Sequence, residues 1–432
     1  MRTSHAAALI VLLCGGAATA HAADASVSDI VRADYLPPEE RIASALAAQP
    51  DVRAAAARLR TAHADARALE IGAYELEATV IPQRRRTDGG GYDEWEAQLS
   101  RRIRLPGKAR LDRDIGRHTI DAAELRLDDS EHQAARRLLA LWMAWLRDAH
   151  TANESDEQTA LLRRERDALA RRVTLGDAAQ RELDAMEAER AQADAQAIAA
   201  RAQADASRRA LAGRFPQIPL PERAPPLSEP AALPEDAERW RQRIVERSHE
   251  IGIAEEDALR QTRIAERTRA DRMPDPSLGL RMMSDRGGAE SALGVVLNVP
   301  IGGRYRRALS DKAEADAAAA AADAANVRQT IEQDAWDAAH AADSRLAQWR
   351  SQQRAVAAQT SAAARTRRAW ELGETGLGEY LQAQRLHRQA RLAETLARAD
   401  ALEAALLVLV DSHELWHPEL AFDEADAAVH SR

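Results

Sequence analysis

The sequence is poor in most of what builds a globular core or a reactive site. Of its 432 residues only Cys14 is a cysteine, and aromatics amount to 3%, with two phenylalanines. Without a second cysteine there is no intrachain disulfide and no thiolate metal centre. A single core for so long a chain needs more large side chains than this. The net charge of −9 is modest and its signs are mixed. Nothing forms a basic face, so no nucleic-acid partner is expected. No Gly-rich phosphate loop, nucleophile elbow or carboxylate dyad stands out, so no catalytic residue, metal or cofactor is assigned and no enzyme is expected. Alanine, arginine, glutamate, aspartate and glutamine dominate instead, the composition of long helices packed closely in bundles.

The first 22 residues read as a secretory signal. Arg2 supplies the positive charge, Ala6 to Leu13 a short apolar run, and Ala20-His21-Ala22 the cleavage motif. The run is too short to span a bilayer as a helix. Leu13 before Cys14 does not suit a lipoprotein signal, so acylation there is not expected. The mature chain is expected to start near Ala23, outside the cytoplasm.

Landmarks then recur at one offset. Leu175-Gly176 and Leu372-Gly373 each interrupt a long helical pattern, with the glycines 197 residues apart; Gly107 and Gly302 lie 195 apart. A shared offset implies two copies of one large unit, too long for a solenoid repeat. The first copy covers 23–216, the second 236–417. The Pro-rich segment 217–235 reads as a linker, and 418–432 as a polar tail.

Each copy has the same order of patterns. Helices are expected over 39–71 and 236–272. Each is followed by period-2 alternation around a Gly-rich turn, a β-hairpin at about 72–105 and again at about 276–300. In the first, Trp95, Ala97, Leu99, Ile103 and Leu105 share one face, broken only by Arg101. In the second, Leu278, Leu280 and Met282 alternate with Ser277, Gly279 and Arg281, and Leu293, Val295, Leu297 and Val299 with Ala292, Gly294, Val296 and Asn298. Long helical hairpins follow at about 109–214 and 304–413. The first carries a stripe of Leu138, Leu141, Trp142, Trp145 and Leu146; the second holds six alanines, Ala317 to Ala322, where helices pack closely. Strands near ten residues suit a tilted bilayer crossing. In lipid an open sheet edge is forbidden. Four strands cannot close a pore, so this reading requires several chains, and three give twelve strands.

These patterns resemble the TolC-like outer-membrane efflux channels over essentially the whole mature chain. The duplicated helix–hairpin–helical-hairpin order carries the likeness, with Pro106-Gly107-Lys108, Met273-Pro274-Asp275-Pro276 and the two Leu-Gly turns. The Gly107-Lys108 stretch is most similar to the heavy-metal (CzcC-like) branch, although Ala109 intrudes before Arg110. The resemblance implies a mainly α fold with a small β part: a homotrimer whose twelve-stranded barrel sits in outer-membrane lipid and continues as a periplasmic helical barrel. It implies a passive exit duct for heavy-metal cations or small toxic molecules. Its partners would be a periplasmic adaptor and an inner-membrane efflux transporter. Leu175, Gly176, Leu372 and Gly373 would be the adaptor-docking tips, although each glycine also suits a plain left-handed helix cap. Glu182 and Glu379, six residues beyond the glycines, would form acidic rings at the periplasmic mouth; a solvated helix surface is the competing reading. The family's second acid is replaced by Gln382.

Two other readings compete. A soluble periplasmic coiled-coil adaptor or structural protein explains the helices but not the recurring hairpins. His413-Glu414-Leu415-Trp416-His417 matches a zinc-protease pattern, which needs both histidines on one helical face beside a sheltered cleft. Pro418 follows at once, so the helix is expected to be ending there.

Overall fold

A computed structural model describes Val27, Ile30 and residues 34–416. The expected signal, Cys14, His417 and the tail 418–432 lie outside the described residues. The first half runs α1 (Glu39–Ala47), α2 (Pro50–Ile71), β1 (Leu76–Thr87), β2 (Gly90–Arg102), α3 (Lys108–Thr174) and α4 (Gln180–Arg214). The second repeats that order: α5 (Ala237–Glu246), α6 (His249–Ala270), β3 (Ser277–Asp285), β4 (Glu290–Asn298), α7 (Arg304–Glu371) and α8 (Leu377–Asp411). The chain is mainly helical with one small antiparallel sheet.

Two expected single helices are each broken in two. Pro50 cannot continue α1, and Gln49 before it adopts extended backbone (ψ 139°), so α2 starts afresh. In the second half Ser248 ends the run and caps α6, its hydroxyl accepting from the Ile251 N–H at 3.2 Å. β1 also extends beyond the expected alternation, through Ile81-Pro82-Gln83-Arg84-Arg85-Arg86, and the turn shrinks to Asp88-Gly89. Those added residues rise above the apolar band, so they carry no apolar period.

The sheet has the order β1-β2-β3-β4. The halves meet where β2 pairs with β3, Leu99 opposite Leu280 and Ala97 opposite Met282. β1 and β4 are its open edges. At its base the two sequence landmarks lock together. The Lys108 side chain is 2% exposed, and its ammonium donates to the Met273 carbonyl and to Asp275, each at 2.8 Å. Asp271 pairs with it at 2.8 Å. Asp275 also accepts from the Leu105 N–H at 3.0 Å and the Tyr74 hydroxyl at 2.8 Å. Burial alone would raise the Asp275 carboxyl; these donors outweigh it and hold it below its ordinary value.

α3 has 67 residues and α7 has 68, so each reaches about 100 Å. They return as α4 and α8, of 35 residues each. Large side chains collect at stations along this rod. The main one surrounds Leu138, Trp142, Trp145 and Leu146 of α3 with Leu402, Leu406 and Leu409 of α8. The segment read as a linker forms no helix or strand but packs into this core through Ile218 and Leu227, beside Phe215 at the end of α4. Elsewhere the helices close on alanine and on ion pairs such as Arg147–Asp400 at 3.0 Å and Arg391–Glu154 at 2.6 Å.

Lys108→Met leaves the Asp275 carboxylate without its buried cation and should cost about 3–5 kcal/mol. A double Lys108→Met, Asp275→Leu variant should recover most of that. Denaturant unfolding of the three proteins checks it; equal midpoints for wild type and Lys108→Met would refute it.

Candidate functional site

The sheet and the far tip of the helical hairpins carry the informative surfaces. In register, Ala78, Leu99, Leu280 and Val295 form one cross-strand row, and Val80, Ala97, Met282 and Leu293 the next. These rows lie on one face, and Leu293 and Val295 are 77% and 70% exposed. The opposite rows hold Glu77, Ser100, Gly279 and Val296, then Thr79, Gln98, Arg281 and Gly294. There Arg281 donates to Glu96 at 2.6 Å. One face is thus an unpartnered apolar band and the other mixed polar. Arg101, the flaw on the apolar face, sits at the base and donates to the Tyr74 carbonyl at 2.7 Å.

The Leu-Gly turns close in the same way in both halves. Gly176 N–H donates to the Val173 carbonyl at 3.0 Å and Asp177 N–H to the Arg172 carbonyl at 2.8 Å. Gly373 and Glu374 repeat this with Trp370 and Ala369 at 3.0 and 2.8 Å. This paired pattern is a Schellman cap, which needs a left-handed residue; φ is 82° at Gly176 and 77° at Gly373. A side chain at either position would meet nothing within 4 Å, so conformation alone demands glycine. Leu175 and Leu372 project beside them, 76% and 57% exposed. Glu182 and Glu379 sit in the first turns of α4 and α8, where a carboxylate suits the helix dipole. Among the described residues neither forms an ion pair.

Just above the turns the two halves are joined by contacts the sequence did not advertise. Tyr380 of α8 donates its hydroxyl to the buried Glu165 of α3. Its ring stacks on Trp370 at 4.6 Å, inside a small core with Leu162, Leu169, Met186 and Leu377. Burial lifts the Glu165 carboxyl above its ordinary value, although Tyr380, Arg367 and Arg164 pull the other way. Burial and the neighbouring Glu165 raise the Tyr380 hydroxyl as well. The only sequence-level signal was the aromatic Tyr380 directly after Glu379.

The first histidine of the zinc-protease pattern does not lie on a helix. α8 ends at Asp411, and His413 lies beyond it with φ 60°. Its ring packs on His249 at 4.6 Å and on His132 at 5.2 Å.

A sheet with one apolar face, open at both edges and carried on helical hairpins of this length, has the protomer fold of an outer-membrane channel. Solved structures share this fold. The chain is similar to the outer-membrane channel OprN (19% identity, 88% of this chain and 90% of that one, TM-score 0.75). The Campylobacter jejuni CmeC outer membrane channel matches at 15% identity over 90% and 88% of the two chains, with TM-score 0.72. CusC, described for its transmembrane channel formation, matches at 16% identity over 87% and 91%, with TM-score 0.71. No protein-family model and no curated protein sequence matches the chain.

Alanine at Gly176 or Gly373 should destabilise its turn by about 1–2 kcal/mol, with asparagine milder. Faster amide hydrogen exchange confined to that turn checks this; unchanged exchange would exclude the conformational account. Glu165, with its folded value raised, adds stability that is complete below its ordinary 4.5 and lost as pH rises through the folded value. Protection at Leu377–Leu381, the intrinsic exchange rate at each pH divided by the observed one, should therefore rise on acidification from neutral pH towards that value. Glu165→Gln should remove the dependence; its persistence would assign it elsewhere.

Proposed function

We propose that the chain is the outer-membrane channel of a tripartite efflux pump, acting as a passive duct with no catalytic step. The carrying observation is the sheet: an exposed apolar band on one face, polar and small residues on the other, and two open edges. Open edges are costly in lipid, where each unpaired backbone group loses several kcal/mol. Three copies pairing β4 of one with β1 of the next give a twelve-stranded barrel, a normal size. The apolar rows then face lipid and the Glu96–Arg281 face lines the pore. The helices, about 100 Å long, span the periplasm. A soluble periplasmic spacer leaves Leu280, Leu293 and Val295 bare in water, so that reading is weaker.

The same reading gives the tips their roles. Leu175 and Leu372 offer exposed apolar contacts beside rigid Schellman turns, suited to docking a periplasmic adaptor that links to an inner-membrane transporter. Their neighbours differ, Asp177 in one half and Glu374 in the other, so a partner meets two alternating kinds of turn. Three-fold symmetry gathers Glu182 and Glu379 into acidic rings, which favour cations at the mouth. Heavy-metal cations are the favoured cargo, on the Gly107-Lys108 likeness, ahead of organic toxicants.

A deletion strain complemented with variants tests this. Wild type should fractionate with the outer membrane as a heat-resistant trimer and restore tolerance to zinc, cobalt or copper. Leu175→Asp with Leu372→Asp should keep the trimer but lose tolerance, and Glu182→Gln with Glu379→Gln should lower cation preference in bilayer conductance. Release of wild type by osmotic shock would sink the channel reading. Altered sensitivity to hydrophobic drugs alone would sink the metal assignment.

A further inference from the structure

On the upper rod, about 15 Å below Lys108 at 1.5 Å per residue, one charged cluster is built differently from its neighbours. Along the antiparallel seam of α3 and α6, two acids face arginine. Asp112 pairs with Arg267 at 2.6 Å and Arg104 at 3.3 Å, and Asp257 with Arg126 and with Arg260 at 3.0 Å. On α3, His118 and Asp121 lie between Asp112 and Arg126, three residues apart on one face; on α6, Glu256 directly precedes Asp257. Among the described residues neither Asp121 nor Glu256 forms an ion pair with arginine or lysine. The basic side chain that touches Glu256 is His118, buried, with Nδ1 at 2.6 Å from Glu256 Oε2. One donor atom from each of the three residues lies within 4.8 Å of the others.

We infer that His118, Asp121 and Glu256 form a binding site for one divalent first-row cation, of which Zn2+ is the probe, clamping α3 of the first half to α6 of the second. Ligand distances near 2.0–2.2 Å around zinc place donors about 3–4 Å apart, a span that small rotations of these side chains reach. The metal takes the place of the His118–Glu256 hydrogen bond and offsets the charge of the two carboxylates. An imidazole with two carboxylates suits Zn2+ and its neighbours better than a soft monovalent ion, which prefers sulfur. Remaining positions fall to water, since no further histidine or carboxylate belongs to the cluster. The site stands independently of the proposed transport role: it braces the rod below the sheet whatever passes through.

The untagged full chain, stripped with chelator and titrated with Zn2+ alone by calorimetry, should bind one ion per chain. Glu256→Gln and Asp121→Asn, which preserve shape, should each weaken it by more than the roughly tenfold cost of losing an outer-shell partner. His118→Gln should do the same, and Co2+ in its place should show a spectrum with nitrogen and oxygen ligands that the variants lose. His249→Gln, in the separate histidine group near His413, should leave the affinity unchanged. Absence of stoichiometric binding, retention of affinity in Glu256→Gln or His118→Gln, or loss in His249→Gln would each overturn the assignment.

Discussion

A buried ammonium is costly unless every one of its protons is met, and Lys108 is met by residues from the other half of the chain. Its partners, Asp271, Met273 and Asp275, lie at the end of α6 and the entry to β3. Leu105 and Tyr74 bring the end of β2 and the approach to β1 onto the same carboxylate. An alternative docking of the hairpins strands a charge in the interior, which penalises it heavily. The knot therefore holds the register of the central strand pair, and with it which face of the sheet is apolar. It also fixes where the long helices leave the sheet.

Below the knot, stability is concentrated at separated stations. With so few aromatics, the chain places its large side chains in the waist around Trp142 and Trp145 and in the tip core around Tyr380. Between them, alanine permits close helix approach and arginine–carboxylate pairs supply specificity of neighbour. Exposed pairs of that kind contribute little each, so the stations hold the rod and the pairs sort its helices. The tip couples the two halves through one buried tyrosine–glutamate bond, directly above the turns that would meet a partner.

Much of this was legible in the residues. The period-2 rows from Leu278 to Val299 located the second hairpin, and the Leu-Gly turns located both helix reversals. Pro50 and Ser248 were less legible, because a break that restarts a helix at once leaves the apolar period nearly intact. The upper part of β1 was missed because Arg84, Arg85 and Arg86 stand above the apolar band and carry no alternation. Both landmark motifs at the sheet base were visible, yet their contact was not. Nothing local in Lys108 points to Asp275, and the same holds for Glu165 and Tyr380. Long-range pairs of this kind depend on the assembled fold. The seam cluster of His118, Asp121 and Glu256 was invisible for that reason too.

The central claim is that the four-stranded sheet is complete only when copies of the chain close it. Native mass spectrometry of the chain extracted from outer membranes in mild detergent tests this without assuming any cargo or partner. The account predicts one species with the mass of three mature chains, stable to dilution. A monomer or dimer as the intact species would contradict it.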